Sequence, residues 1–182
     1  MPDGGAAHFS DCIEEVRKIS PGTEFEILTP DFRRCQDQAL ETLDRVRPFV
    51  FAHNIETVPS LYPAARSGGD YRLSLNLLRL AKERWPDTQT KSSIMLGLGE
   101  SDSEVELVLN DLRTVGCDRI TIGQYLQPSK DSLEVIKFID PPKFDYWKQR
   151  TEALGFNWVI SEPFARSSYH ADNKIVNPPI QD

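Results

Sequence analysis

Ser92-Ser93-Ile94-Met95-Leu96-Gly97-Leu98-Gly99-Glu100-Ser101-Asp102-Ser103-Glu104 is the stretch that decides the fold. Residues Ser92–Leu96 read as a short β-rich run. Gly97 and Gly99 then punctuate a tight turn. Ser101-x-x-Glu104 has the spacing of a capping box, in which the serine oxygen takes the amide of the third helical residue and the glutamate reaches back. Val105, Val108, Leu109 and Leu112 continue on one helical face, and Gly116 suits the C-terminal cap. A second β-rich run, Arg119–Tyr125, follows. Two strands joined by a helix of this length pair in parallel through a right-handed crossover.

The same alternation extends in both directions. Strands are expected near Glu24–Leu28, Phe49–His53 and Asn157–Ser161. Phe9, Cys12, Ile13, Val16 and Ile19 form one helical face that Pro21-Gly22 ends. A helix runs from about Gln36 to Val46, with Ala39, Leu40, Leu43 and Val46 inward. Another runs from Tyr71 to Trp85, with Leu73, Leu77, Leu80 and Ala81 on one side. A last one starts with Asp140 as N-cap and Pro141 in the first turn, and ends near Gly155. A closed (β/α)8 barrel takes about 250 residues. This chain of 182 residues therefore reads as an α/β protein, either an open barrel segment or a smaller open sheet.

Composition narrows the function. The formal net charge of −7 argues against a nucleic-acid partner held by phosphate contacts. No apolar run has the length to cross a bilayer, and no membrane partner is expected. The start, Met-Pro-Asp-Gly-Gly-Ala, is neither a signal peptide nor Arg-rich. Cys12, Cys35 and Cys117 are odd in number and widely spaced, which excludes a disulfide framework and a C-x-x-C motif. Cys12 and Cys117 lie in apolar patterns and read as buried small hydrophobes. Cys35 sits beside Arg33 and Arg34 as a surface thiol.

Ligands in α/β folds sit at the carboxyl ends of strands. There the sequence places Thr29-Pro30-Asp31, His53-Asn54-Ile55-Glu56, Gly97-Leu98-Gly99-Glu100, Gln124-Tyr125-Leu126-Gln127-Pro128 and Glu162-Pro163-Phe164-Ala165-Arg166-Ser167-Ser168-Tyr169-His170. Each has a plain reading beside a functional one. His53 is a hydrogen-bonded structural residue or a ligand. Asn54 and Glu56 cap the next helix or face a ligand. Gly97-x-Gly99 lacks the third glycine of a dinucleotide fingerprint, and a tight turn explains it. Arg166 can bind a carboxylate bidentately.

His53-Asn54-Ile55-Glu56-Thr57-Val58-Pro59, Tyr71 with Ser74-Leu75, Thr90-Lys91-Ser92, Gly97-Leu98-Gly99-Glu100, Thr121-Ile122-Gly123-Gln124-Tyr125-Leu126-Gln127-Pro128-Ser129 and Arg166-Ser167-Ser168-Tyr169-His170-Ala171-Asp172 resemble lipoyl synthase in order and spacing. Pro2-Asp3-Gly4-Gly5-Ala6 with His8-Phe9 resembles a mid-chain segment of that family. The resemblance implies an incomplete parallel (β/α) barrel segment of radical S-adenosylmethionine type, with residues 1–172 as its C-terminal part and 173–182 as a loose tail. It implies insertion of two sulfur atoms into an octanoyl group carried on a lipoyl carrier domain. The family's cofactors are two [4Fe–4S] clusters and S-adenosylmethionine. By position, Ser167 is implied as a metal ligand to the auxiliary cluster, Arg166 as the catalytic-site arginine beside it, and Asn54, Glu56 and Lys91 as cofactor-binding residues. Gln124 and Gln127 are implied as second-sphere or ligand-facing.

The sequence also departs from the family. Its Cys-x-x-x-Cys-x-x-Cys motif and the auxiliary cysteines are absent, and Cys12, Cys35 and Cys117 stand elsewhere. Thiolates must hold such clusters, so the expectation is that this chain alone assembles neither and is inactive alone. A missing N-terminal segment is the partner that would supply them, and its loss would expose a parallel sheet edge. The alternative is a non-catalytic remnant that binds the carrier domain or S-adenosylmethionine. Ala52 replaces a usual asparagine and Glu162 a usual glycine. The implied location is the cytoplasm, or a mitochondrion or plastid where a transit peptide precedes.

Overall fold

The computed structural model describes residues 3–169, so the expected tail 173–182 and the His170-Ala171-Asp172 segment lie outside the described residues. The elements are α1 (Ala6–Ile19), β1 (Glu26–Leu28), α2 (Gln36–Leu43), β2 (Val50–Ala52), α3 (Tyr62–Ala65), α4 (Tyr71–Arg84), β3 (Gln89–Leu96), α5 (Asp102–Thr114), β4 (Arg119–Gln124), α6 (Pro141–Ala153) and β5 (Trp158–Ser161). A single 3-10 turn, Pro59–Leu61, leads into α3.

The five strands form one parallel sheet in the order β1-β2-β3-β4-β5. A sheet that winds in one direction through right-handed crossovers carries all its helices on one face, as a barrel wall does. Ile27, Phe51, Ile94, Leu96, Ile120 and Ile122 point to that face. They pack with Leu40, Leu77, Val108, Leu109 and Trp147 of the helices in the core. The fold is thus a partial parallel (β/α) barrel. The opposite face carries the alternate residues in register: Lys91, Arg119 and Trp158 in one row, then Ser93, Thr121 and Ile160 in the next.

The deciding stretch folds as its chemistry dictates. Ser101 Oγ accepts from the Glu104 amide, and the Glu104 carboxylate accepts from the Ser101 amide at 2.8 Å. Glu104 also accepts from Ser60 Oγ, the largest of the hydrogen bonds that hold its carboxyl down at about 2. At the other end Gly116 has φ +79. The amide of Gly116 donates to Arg113 and that of Cys117 to Leu112, the Schellman pattern.

Several expectations need correction. Cys12 is exposed, because α1 buries the stripe Ala6, Ser10 and Ile13 and turns Cys12 away from it. Ile19, expected inward on that helix, is 87% exposed. Asp140 stands at the N-cap of α6 but its side chain makes no capping bond; its carbonyl accepts from the Lys143 amide instead. Cys117 is fully buried as expected, and burial pushes its thiol up to about 12. No helix among the described residues is long and apolar enough to cross a membrane.

Candidate functional site

Beyond β2 the chain makes a sharp feature. The Thr57 amide donates to the Ile55 carbonyl at 2.9 Å, and Glu56 between them has φ +69. A bond from residue i+2 back to i around a positive φ is the rarer, strained form of the γ-turn. The Glu56 amide donates to the Ser93 carbonyl at 3.0 Å and the Met95 amide to the Glu56 carbonyl at 2.9 Å, so the turn is clamped onto β3. Glu56 consequently stands at the centre of the turn and Asn54 just before it, at the carboxyl rim of the sheet.

The last loop arrives at the same place. Past β5 the pairing continues, with the Gln124 amide donating to the Pro163 carbonyl at 3.0 Å. The loop then crosses over Gly123. A Cβ there would lie 2.5 Å from the Ala165 carbonyl oxygen, so only glycine admits the crossing. Arg166 is braced by donation to that same carbonyl at 2.7 Å.

These segments enclose a cleft of about 90 Å³, walled by Asn54, Glu56, Arg166 and Ser167 and floored by Ser93, Met95, Thr121 and Gly123. Whole small-molecule sites run to roughly 300–1,000 Å³, so this is a corner that grips one polar part of a ligand. Its walls are underused. Asn54 Oδ1 and Thr121 Oγ1 are buried with no hydrogen-bond partner among the described residues. Such groups carry a desolvation penalty of about 1–3 kcal/mol unless a ligand pairs them. A larger hollow of about 520 Å³ lies at the opposite rim, near Thr23, Arg47 and Asp87. It sits at the amino ends of the strands, where α/β folds do not place ligands.

Four of the implied site residues therefore come together, and Lys91 does not join them. Lys91 lies one row deeper, fully buried, with Nζ 2.7 Å from Glu26 Oε1 and 4.6 Å above the Trp158 ring. Burial holds its ammonium below the usual lysine range, against the pull of Glu26. Arg119 beside it is buried between the rings of Phe49 and Trp158, each 5.5 Å away. Gln124 also stays out of the cleft. Its Nε2 donates to the Tyr125 and Lys137 carbonyls at 3.0 and 3.1 Å, and its Oε1 accepts from the Ile139 amide at 2.9 Å. Gln127 is exposed and donates to the Ser132 carbonyl. Both glutamines thus brace the loop after β4. Gly97 and Leu98 donate their amides to Glu100, which settles that stretch as a tight turn.

His53 takes its structural reading. It is 1% exposed, with Nδ1 2.9 Å from the Thr29 carbonyl and Nε2 2.9 Å from Asp31 Oδ1. Asp31 is also paired with Arg66 at 2.6 Å. Its hydrogen bond with His53 and the nearby Arg66 guanidinium hold its carboxyl down at about 2. The cleft residues that sequence reasoning did not single out as site residues are Thr121 and Ser93. For Thr121 a clue was available, since it is the polar member of the alternation Ile120-Thr121-Ile122; Ser93 follows another buried serine, Ser92, and gave none.

An iron–sulfur cluster does not fit the described residues. Cys12 is exposed on α1, Cys35 stands at the start of α2, and Cys117 is buried between α5 and β4. None lines the cleft, and no three His, Cys, Asp or Glu side chains converge to hold a metal among the described residues. Ser167 thus has no thiolate companion. The cleft offers instead an amide oxygen and a hydroxyl without partners among the described residues, a carboxylate and a guanidinium, which can pair a polar group of a ligand.

A singly wound parallel sheet with polar residues gathered at its carboxyl rim defines a class, and the chain belongs to the radical SAM superfamily, whose family profile matches residues 1–112. Within it, the chain is similar to proteins named lipoyl synthase. It is 52% identical over 181 residues to that of Pseudoalteromonas translucida (strain TAC 125), covering 100% of this chain and 56% of the relative. It is 54% identical over 174 residues to that of Thiobacillus denitrificans (strain ATCC 25259 / T1), covering 96% and 56%. The chain thus spans little more than half the length of these curated relatives.

Proposed function

We propose that this chain is the S-adenosylmethionine-facing and substrate-facing part of a lipoyl synthase, which inserts two sulfur atoms into an octanoyl group held on a lipoyl carrier domain. The observation that carries this reading is the corner of Asn54, Glu56, Thr121 and Arg166, two of whose buried polar atoms have no partner among the described residues. The similarity to lipoyl synthases over the whole chain supports it. Bound S-adenosylmethionine, given one electron from a cluster held by thiolates outside this chain, would supply the carbon radical that abstracts hydrogen, a chemistry that belongs to the cofactors.

The chain's own residues would bind and orient. Asn54 Oδ1 accepts from a hydroxyl or ammonium of the ligand, and Thr121 Oγ1 offers either a donor or an acceptor. Glu56 holds a carboxylate at the mouth, where it attracts an ammonium. Arg166 sets a fixed fork of donors over the same space. Among the described residues no set of side chains fits an iron–sulfur cluster. The chain alone is accordingly inactive in this reading, and the thiolates come from sequence outside it.

A chimera tests the proposal. Residues 3–169 would replace the aligned segment of the Thiobacillus denitrificans relative, and mass spectrometry would follow an octanoylated carrier domain under anaerobic conditions. Conversion to the lipoyl form is expected. A folded chimera that loads iron and binds S-adenosylmethionine but leaves the octanoyl group unchanged would favour the non-catalytic remnant.

A further inference from the structure

Glu56 is held in its strained γ-turn by partners that lie outside the cleft. The Ile55 carbonyl, already bonded to the Thr57 amide, also accepts from the Tyr62 hydroxyl at 2.7 Å. The Ile55 amide donates to Ser92 Oγ at 3.1 Å. Both polar groups of the residue between Asn54 and Glu56 are therefore fixed by side chains. A non-glycine residue at positive φ persists only where its surroundings over-determine it.

Tyr62 is itself tightly placed. It is 5% exposed, and its ring meets Tyr71 edge-on at 5.6 Å. Arg66 donates to its hydroxyl at 3.1 Å and is anchored in turn by Ser74 at 2.8 Å and by Asp31. A phenylalanine would fill the same space, so packing does not explain the hydroxyl. The hydroxyl carries one proton, and it goes to the Ile55 carbonyl of the turn.

We infer that Tyr62 is a positioning residue for the cleft: its hydroxyl, fixed by Arg66, holds the strained turn that aims Asn54 and Glu56 at the ligand. This rests on the reading of the cleft as an S-adenosylmethionine site. Tyr62→Phe removes the donation to Ile55 and the bond accepted from Arg66. Each partner keeps another, Ile55 the Thr57 amide and Arg66 its bonds to Ser74 and Asp31, so a ligand-directed effect separates from global unfolding.

The test uses the full 182-residue chain as wild type, Tyr62→Phe, Glu56→Ala and the double variant. S-adenosylmethionine is titrated by calorimetry, and backbone amide exchange is measured in parallel. Tyr62→Phe is expected to weaken binding about tenfold, with no further loss on the Glu56→Ala background, since coupled residues are non-additive. Wild-type affinity in Tyr62→Phe, or losses that add, would overturn the inference. If the wild type itself binds no S-adenosylmethionine, the reading of the cleft fails and exchange decides the rest. Exchange about tenfold faster at Glu56 and Met95, with the α5 amides unchanged, then supports a positioning role. Unchanged or uniformly faster exchange overturns it.

Discussion

Thr121 buries a hydroxyl that has no partner among the described residues. Replacement by the isosteric valine removes that desolvation penalty, so Thr121→Val should raise unfolding stability by about 1 kcal/mol in urea titration while weakening S-adenosylmethionine binding. A stability–affinity trade of this sign separates a ligand-facing group from a packing one. Asp31 gives a pH prediction. Its carboxyl is held at about 2, below its ordinary 3.8. A depressed folded-state value means the stabilisation is present above the ordinary value and disappears as pH falls through the folded one. Between pH about 4 and 2 the wild type should lose stability more steeply than Asp31→Asn, as read by urea unfolding at each pH. Some slope remains in the variant, because Glu104 is also held near 2. At this scale the rim rule gathered the segments that carry Asn54, Glu56, Arg166 and Ser167, and the resemblance to lipoyl synthase singled those four out within them; the structure adds that they line one cleft. Thr121 was not singled out because it lies within a strand, and only the register with Ser93 places it in the cleft. Lys91 was set apart by the same register: two residues along β3 separate one row from the next.

The elements follow from local chemistry wherever a cap or a periodic stripe announces them. Ser101→Ala should cost about 1 kcal/mol of unfolding free energy, measured in urea, by opening the capping box of α5. Gly123→Ala belongs to this scale too, because its consequence is the path of a whole loop. The added methyl would push the Ala165 carbonyl and displace Arg166 and Ser167. Overpacking of this kind costs about 1–3 kcal/mol, and the binding corner should open with it, which loss of S-adenosylmethionine heat in calorimetry would register. The five strands and the main helices could be read from alternation and stripes. The 3-10 turn at Pro59 and α3 could not, since a segment of four residues carries no period. The face of α1 was misjudged because an apolar stripe gives a direction only to within a residue. Tertiary contact chose Ser10, whose Oγ donates to the Thr42 carbonyl at 3.1 Å, over Cys12.

At the scale of the molecule, the sequential order of the sheet places every crossover helix on one side and leaves the other face to polar rows and the cleft. That architecture was foreseeable from the alternation of strand and helix. The choice between an open barrel segment and a smaller open sheet needed the strand order. The account as a whole holds that this chain carries the ligand-gripping corner of a radical SAM enzyme without the thiolates of its clusters. Anaerobic reconstitution with iron and sulfide should accordingly leave the purified chain without stoichiometric [4Fe–4S] absorption. The more direct measurement is calorimetric titration of S-adenosylmethionine into the purified chain and its Asn54→Ala variant. The account predicts saturable one-site binding to the wild type and affinity about tenfold weaker in the variant, the loss of one hydrogen bond to a charged partner. No saturable binding by the folded wild type, or equal affinity in the two proteins, would contradict it.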